Sequence, residues 1–156
     1  MSVNIQILHA APEHLDAVVE LFDAYRVWYG TPSDKDGARS FLSQRQRQNE
    51  SVIFLALLDG QPAGFTQLYP MFSSVSMGTT WVLNDLFVAE FARRNGIGTL
   101  LLETAAEFGR ETGALRMELQ TEITNTAAQK VYERHGWKKD EQFCYYSLPL
   151  DLEDSP

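Results

Sequence analysis

The chain has 156 residues, of which 44% are hydrophobic and 12% aromatic, which is enough for one substantial core and argues against a disordered or fibrous protein. Its formal net charge of -8 opposes general binding to nucleic acids or membranes and mildly favours cationic small molecules, although solubility alone would explain it. No apolar run approaches the roughly 20 residues that cross a bilayer and no signal peptide begins the chain, so we expect a cytoplasmic protein with one domain over 1–152 and a frayed tail at 153–156.

The first half of the chain is predicted to form a strand, two helices and three strands. Alternation of polar and apolar residues indicates the first strand, and apolar residues at helical spacing indicate the first helix. Asp59-Gly60 is a two-residue turn signal between two apolar runs and predicts an antiparallel hairpin. The predicted elements are a strand at 3–9, helices at 12–28 and 36–49, strands at 52–58, 63–69 and 80–88, and a stretch at 70–78 that is open between loop and strand.

The second half is predicted to alternate helices with strands. Gly113 is placed as a stop for the third helix, and Gly136 closes the fourth. The order predicts a mixed sheet covered by helices on both sides. The elements are helices at 98–112 and 125–135, and strands at 115–121 and 143–150, the last with 137–140 as a possible partner.

A strand, a short loop and a helix start meet in residues 84–101. Backbone N–H groups at a helix start lack partners, and the helix dipole adds positive charge there. Gly96 and Gly98 allow an anion to approach the backbone closely, and Arg93 and Arg94 place two cations beside it. The stretch therefore predicts a site for a phosphate or pyrophosphate.

This glycine pattern differs from two nucleotide motifs, because it has neither the Gly-Lys-Ser/Thr ending of a P-loop nor a third glycine after Gly98. Leu-Phe-Val at 86–88, followed by Arg-x-x-Gly-x-Gly from Arg93, resembles the coenzyme A motif of the GNAT acetyltransferases. That family also shows Asn, a helix and Tyr-x-x-x-Gly-aromatic downstream, which is similar to Asn125 through Trp137. Both motifs stand in the expected order and separation.

The resemblance covers nearly the whole chain and is specific from Leu83 to Trp137. It implies an α/β (α+β) fold with a mixed, mainly antiparallel central sheet of about six to seven strands flanked by about four helices. It also implies an enzyme that transfers acetyl from acetyl-coenzyme A directly to a primary amine of a small molecule, polyamine-like or amino-acid-like. The alternative is an acyl-coenzyme A sensor with weak or no catalysis, and a homodimer is compatible with either.

The residues that the resemblance assigns to coenzyme A have three tasks. Amides of the loop and helix start would cradle the pyrophosphate, the strand backbone would pair with the pantetheine arm, and one strand amide would polarise the thioester carbonyl. The implied cofactor-binding residues are Leu86, Phe87, Val88, Arg93, Arg94, Asn95, Gly96, Ile97, Gly98, Thr99 and Asn125.

Two residues of the second motif also have structural interpretations. Asn125 resembles the asparagine that hydrogen-bonds the coenzyme arm, and it stands where a helix N-cap is expected. Tyr132 resembles the tyrosine that protonates the departing thiolate, which suits a hydroxyl with an ordinary pKa of about 10. Otherwise Tyr132 is a half-buried core aromatic.

An attacking ammonium must first lose a proton, so a general base or a water relay is expected. Asn84 stands where proteins resembling the diamine acetyltransferases tend to have a glutamate, and an amide does not accept a proton usefully. Asp85 is the nearest carboxylate, but successive strand residues point to opposite faces, so a structural hydrogen bond is the alternative role. Glu122 is a second candidate for the base.

The remaining candidates lie outside the two motifs. Acceptor recognition is expected from the first helices and the middle strands, where aromatic residues are pocket walls or else core. The candidate substrate residues are Trp28, Tyr29, Tyr69, Trp81, Asn84 and Glu122. Three scattered histidines show no metal-ligand spacing, so no metal site is expected. Cys144, the only cysteine, is predicted to be a small buried hydrophobe in the last strand.

Overall fold

Within residues 2–151, which the computed structural model describes, five strands form one sheet in chain order. Neighbouring strands are antiparallel except for the last pair, which is parallel. The strands are β1 (Ile5–His9), β2 (Val52–Leu58), β3 (Gln61–Ser73), β4 (Gly78–Val88) and β5 (Met117–Glu118). The mixed, mainly antiparallel sheet expected from the resemblance is confirmed.

Three of the helices belong to a first compact unit that ends at Gln120, and one belongs to a second unit that begins at Thr121. The prediction of a single domain over 1–152 stays a prediction. None of the helices described between residues 2 and 151 is long and apolar enough to cross a membrane. The helices are α1 (Leu15–Trp28), α2 (Lys35–Arg47), α3 (Ile97–Glu111) and α4 (Thr126–Arg134).

Neighbouring residues of β2 show that helices cover both faces of the sheet in the first unit. Leu55 packs in a buried cluster with Phe22 of α1 and Leu42 of α2. The ring of Phe54 instead lies 5.5 Å from that of Phe108 in α3. Successive strand residues point to opposite faces, so we call these sides the α1/α2 face and the α3 face.

The β2–β3 hairpin forms as predicted, with Asp59 and Gly60 both at positive φ, 50° and 83°. Of the stretch left open between loop and strand, residues 70–73 continue β3 and residues 74–77 form a turn into β4. Pro70 is tolerated because it lies beyond Leu68, the last residue of that strand to pair with β2.

A β-bulge in β4 decides which side chains face the α1/α2 face. Gln67 of β3 is opposite Asp85, and the next β3 residue is opposite Leu83, so Asn84 is left without a partner. Opposed residues share a face, and Gln67 shares its face with Phe65 of the α1/α2 cluster. Asp85 therefore shares the α1/α2 face with Phe87, and the bulge turns Leu83 to the α3 face.

Asp23, buried in α1, holds the connection between the two helices of that face. Its Oδ2 accepts a hydrogen bond from Ser33 Oγ and its Oδ1 accepts one from the Asp34 amide, each at 2.7 Å. Both bonds hold the pKa of Asp23 below its usual value. Asp34 then caps α2 by accepting from the Gly37 amide at 2.9 Å, so the two helices are fixed relative to each other.

The predicted strand at 143–150 does not form among the described residues, which is why the sheet has five strands rather than six or seven. Phe143 and Tyr146 are both mostly exposed, so the aromatic side chains of this segment pack on neither side of it. Cys144 is exposed, and the prediction that it is buried was wrong for the same reason. The tail at 153–156 lies outside the described residues.

Candidate active site

The loop between β4 and α3 presents a run of free backbone amides. Arg94 and Gly96 both have positive φ, 67° and 78°, and α3 begins at Ile97. The first hydrogen bond of this helix runs from the Leu100 amide to the Gly96 carbonyl, at 3.1 Å. The amides of residues 94–99 therefore have no acceptor within the part of the chain that the structure describes.

Side chains hold this loop in place and leave room in front of it. Asn95 Nδ2 donates to two loop carbonyl oxygens, at 2.9 and 3.2 Å, and Arg93 Nε donates to the Val88 carbonyl at 3.1 Å. Arg94 is exposed and its guanidinium contacts no acceptor within residues 2–151. A Cβ added to Gly98 would approach only Val88 Cγ2, at 3.9 Å. An anion can thus reach the backbone at the start of α3.

One edge of β4 is open beside this loop. Strand β5 pairs only with Trp81 and Val82 of β4. From Leu83 to Val88, β4 has β3 as its sole strand neighbour within the described chain. Apart from the Val88 carbonyl, which accepts from Arg93 Nε, backbone groups on the other side are available to an extended ligand, as at any unpaired strand edge.

Asp85 is the centre of a buried polar cluster on the α1/α2 face. The residue is only 6% exposed. Its carboxylate accepts hydrogen bonds from Gln67 Nε2 at 2.8 Å and from Asn84 Nδ2 at 3.1 Å. The Tyr25 hydroxyl hydrogen-bonds the same carboxylate. Burial raises the pKa of Asp85 above its ordinary 3.8, and these three hydrogen bonds only partly oppose that effect.

Gln67 adds an unused acceptor to the cluster. The residue is fully buried, and its Nε2 must face Asp85, because a carboxylate only accepts hydrogen bonds. Its Oε1 is consequently left buried without a donor among the described residues. An unpaired buried acceptor costs about 1–3 kcal/mol, so the cluster contains hydrogen-bonding capacity that no described residue uses.

Tyrosines surround the carboxylate on the same face. Burial and the Asp85 charge raise the pKa of Tyr25 above its usual value, and the same two causes raise the pKa of Tyr69 to about 12. Both hydroxyls therefore stay protonated at neutral pH. The ring of Tyr29 lies 5.0 Å from that of Tyr25, and Trp28 contacts Tyr29 edge-on at 5.1 Å, so the aromatic contacts run from Tyr25 to the exposed end of α1.

The structure does not bring Trp81 to this cluster. Its Nε1 donates to Thr112 Oγ1 at 3.0 Å, and its ring lies 5.2 Å from Phe108. Both contacts are on the α3 face, so Trp81 packs against a helix instead of walling the Asp85 site.

The second motif, from Asn125 to Trp137, lies in the second unit. Asn125 Oδ1 accepts from the Ala128 amide at 3.1 Å, so the N-cap is confirmed, and its Nδ2 has no acceptor in the described chain. Tyr132 is half-buried, with its ring 6.1 Å from that of Trp137. Glu122 is exposed in the segment before α4.

Comparison with known proteins identifies the family. The model of the acetyltransferase (GNAT) family matches residues 15–137. The chain belongs to the GNAT acetyltransferase family. It is 43% identical over 144 residues to the uncharacterized N-acetyltransferase YhfO of Bacillus subtilis, covering 92% of this chain and 97% of that protein. The crystal structure of a probable acetyltransferase is 47% identical, with a TM-score of 0.90 and coverage of 95% and 99%.

A more distant likeness extends to an aminoglycoside N-acetyltransferase solved in complex with coenzyme A. It is 22% identical, with a TM-score of 0.79 and coverage of 95% of this chain and 97% of that one, which shows a shared fold. As a GNAT acetyltransferase, the chain is an acetyl-coenzyme A-dependent N-acetyltransferase. The free amides at 94–99 and the room at Gly98 fit the cofactor's anionic pyrophosphate.

Two residues of the acetyltransferase's polar cluster, Tyr25 and Gln67, are not predicted from the sequence. Tyr25 continues the apolar stripe of α1 and is indistinguishable from a core aromatic. Gln67 is a polar residue inside an otherwise buried run of β3, and that interruption is the one signal that could have marked it. Within residues 2–151, no three His, Cys, Asp or Glu side chains are grouped in a way that could hold a metal ion.

Proposed function

We propose that this acetyltransferase acts on the primary amine of a small molecule and that Asp85 is its general base. The observation that carries the proposal is the buried Asp85 carboxylate beside the unpartnered Oε1 of Gln67. An ammonium offers several N–H donors, and these two groups would accept them together. Loss of one proton to Asp85 would then leave a neutral amine able to attack.

The cofactor would be held by the loop and by the open edge of β4. Amides 94–99 and the Arg94 guanidinium would bind the pyrophosphate, while the backbone of residues 86–88 would pair with the pantetheine arm. The Nδ2 of Asn125 would donate to the same arm. Bound acetyl-coenzyme A supplies the activated acetyl group, in the form of a thioester.

Proton transfers are assigned to two side chains. Asp85 would take the proton from the ammonium, and its hydrogen bonds to Gln67, Asn84 and Tyr25 would hold the carboxylate in position. The Tyr132 hydroxyl would give its proton to the departing sulfur. Glu122 is kept as the second candidate for the base, although it is exposed where Asp85 is buried.

Relatives support a small-molecule acceptor. An aminoglycoside N(6')-acetyltransferase type 1 of Klebsiella aerogenes is 27% identical over 112 residues, and its name gives an amine-bearing small molecule as the substrate. The exposed aromatic residues Trp28 and Tyr29 would contact the acceptor as it enters. The homodimer and the cytoplasmic location stay predictions, and gel filtration with and without coenzyme A tests the first.

The proposed function is tested by titrating acetyl-coenzyme A into the protein by calorimetry and then screening amines for release of free thiol. We expect saturable binding and thiol release that depends on an amine. Binding without release for any amine would favour the sensor, and absence of binding would contradict the assigned cofactor site.

Replacement of Tyr132 by phenylalanine is expected to slow turnover at least about tenfold, because the departing sulfur loses its proton donor. Affinity for the cofactor should stay close to that of the wild type. Steady-state thiol release across a range of pH, together with calorimetry, measures both. Tyr145→Phe, an exposed tyrosine in the same unit, is the control. Equal turnover at every pH would remove Tyr132 as the acid.

A further inference from the structure

A cleft lies between α2 and the later part of β3, and Tyr69 is one of its lining residues. Its volume is about 560 Å³, within the range of small-molecule sites. Residues of α2, of the segment after it and of β3 form its walls, and we call it the Arg45 cleft. Its lining residues are Phe41, Arg45, Asn49, Glu50, Tyr69, Pro70 and Phe72.

Tyr69 connects this cleft to Asp85. Alternate residues of a strand share a face, so Gln67, which hydrogen-bonds Asp85, and Tyr69, which lines the cleft, point the same way. They are about 7 Å apart along β3, from the rise of two strand residues. The charges of Asp85 and Arg45 both act on the pKa of Tyr69, in opposite directions, so Tyr69 lies near both.

Arg45 brings a half-buried cation with unused donors to the cleft. Its guanidinium lies over the ring of Phe41, 4.8 Å from the centroid. Its Nε is 3.0 Å from Glu50 Oε1, but it is buried and the angle is not that of a hydrogen bond. The two terminal nitrogens have no acceptor in the described chain. This planar fork is the group that binds carboxylates in a bidentate manner.

We propose that the acceptor is an amine with a carboxylate at its far end, bound with its ammonium at Asp85 and its carboxylate at Arg45. The inference rests on the proposed function. A diamine of the same length would place a second ammonium against Arg45. An α-amino acid, whose two charged groups are attached to one carbon, would be too short to span from Gln67, which hydrogen-bonds Asp85, to the cleft at Tyr69, ~7 Å further along β3. The rings of Phe41 and Phe72 would pack along the spacer.

Glu50 limits this preference, because it holds a negative charge beside the same guanidinium. Removing that charge should strengthen the attraction of Arg45 for an incoming carboxylate. Glu50→Gln is therefore expected to improve kcat/KM for an amino acid acceptor several-fold, in the opposite direction to the loss of Arg45.

The test compares hexylamine, the corresponding ω-amino acid aminohexanoate and the corresponding diamine diaminohexane, using thiol release from acetyl-coenzyme A. The wild type is expected to favour aminohexanoate over diaminohexane at least about tenfold in kcat/KM, which is about 1.4 kcal/mol. Arg45→Gln should remove that preference and Arg45→Glu should reverse it. Arg47→Gln, an exposed arginine of the same helix, should leave it unchanged.

Each outcome bears on one of the two proposals. Thiol release with hexylamine, together with an aminohexanoate to diaminohexane ratio that the Arg45 variants do not change, overturns the acceptor class and leaves the proposed function intact. Cofactor binding with no thiol release from these three amines, but with release from another amine of the screen, also overturns only the acceptor class, whereas no release from any amine of the screen overturns the proposed function. Circular dichroism and acetyl-coenzyme A affinity show whether each Arg45 variant is folded, and Arg45→Lys, which keeps the charge without the fork, should retain part of the preference.

Discussion

Replacing Asp85 with asparagine is expected to lower kcat/KM about 100-fold or more without unfolding the protein. The amide cannot take a proton from the ammonium, and general bases typically contribute this much or more to the rate. Asparagine keeps the shape of the side chain. Its carbonyl oxygen can still accept the hydrogen bond that Gln67 Nε2 donates to the wild-type carboxylate at 2.8 Å. Steady-state thiol release with a saturating amine measures the loss.

The same substitution is expected to stabilise the fold at neutral pH. Burial raises the pKa of Asp85, so the folded state binds the proton more tightly than the unfolded chain does. The wild type's free energy of unfolding therefore falls as pH rises from the ordinary value of 3.8 through the raised pKa. The D85N variant carries no charge and escapes this loss, so it should match the wild type at low pH and exceed it near neutrality.

Urea unfolding at both pH values measures this difference, and Asp36→Asn, at an exposed aspartate of α2, is the control that should change neither activity nor stability. An Asp85→Asn variant that is folded and fully active would exclude Asp85 as the base and direct attention to Glu122. A variant that is inactive and also less stable at neutral pH would indicate that the carboxylate is structural.

The hairpin at Asp59-Gly60 and the loop around Gly96 could be predicted because their residues act locally. Two consecutive positive φ angles need turn residues wherever the strands lie, and a glycine-rich helix start exposes amides in any fold. The same reasoning locates the helices of the first unit to within a few residues. Local signals therefore identify the helices of the first unit, the hairpin and the loop with free amides.

The environment of Asp85 could not be predicted, because its partners Gln67 and Tyr25 come from β3 and α1, and the face of its neighbour Leu83 depends on one extra residue in the pairing of two strands. Strict alternation would have put Leu83 and Asp85 on one face, whereas the bulge at Asn84 separates them. The position of a bulge depends on the register with the partner strand, and the sequence of β4 alone does not determine that register. The strand predicted at 143–150 fails for a related reason, since an aromatic-rich segment needs a partner strand to become part of a sheet.

Tryptophan in place of Gly98 is expected to raise the Kd for acetyl-coenzyme A about 1,000-fold. The new side chain would occupy the space in front of amides 94–99, and the loss of two charge-assisted hydrogen bonds at about 2 kcal/mol each corresponds to that factor. The protein itself should tolerate the change, because a Cβ at position 98 meets only Val88 Cγ2, at 3.9 Å. Calorimetry measures the affinity, and thermal unfolding shows whether the fold persists.

Two matched variants separate blockage of the cradle from a general effect of mutating the helix. Glu103→Trp places the same side chain at an exposed position of α3, away from the loop, and should bind normally. Gly98→Ala should gain helix stability, by up to about 1 kcal/mol, and lose less affinity than the tryptophan variant. If the folded Gly98→Trp protein bound acetyl-coenzyme A as tightly as the Glu103→Trp control, the pyrophosphate would have to lie elsewhere, because no anion could reach these amides past an indole ring.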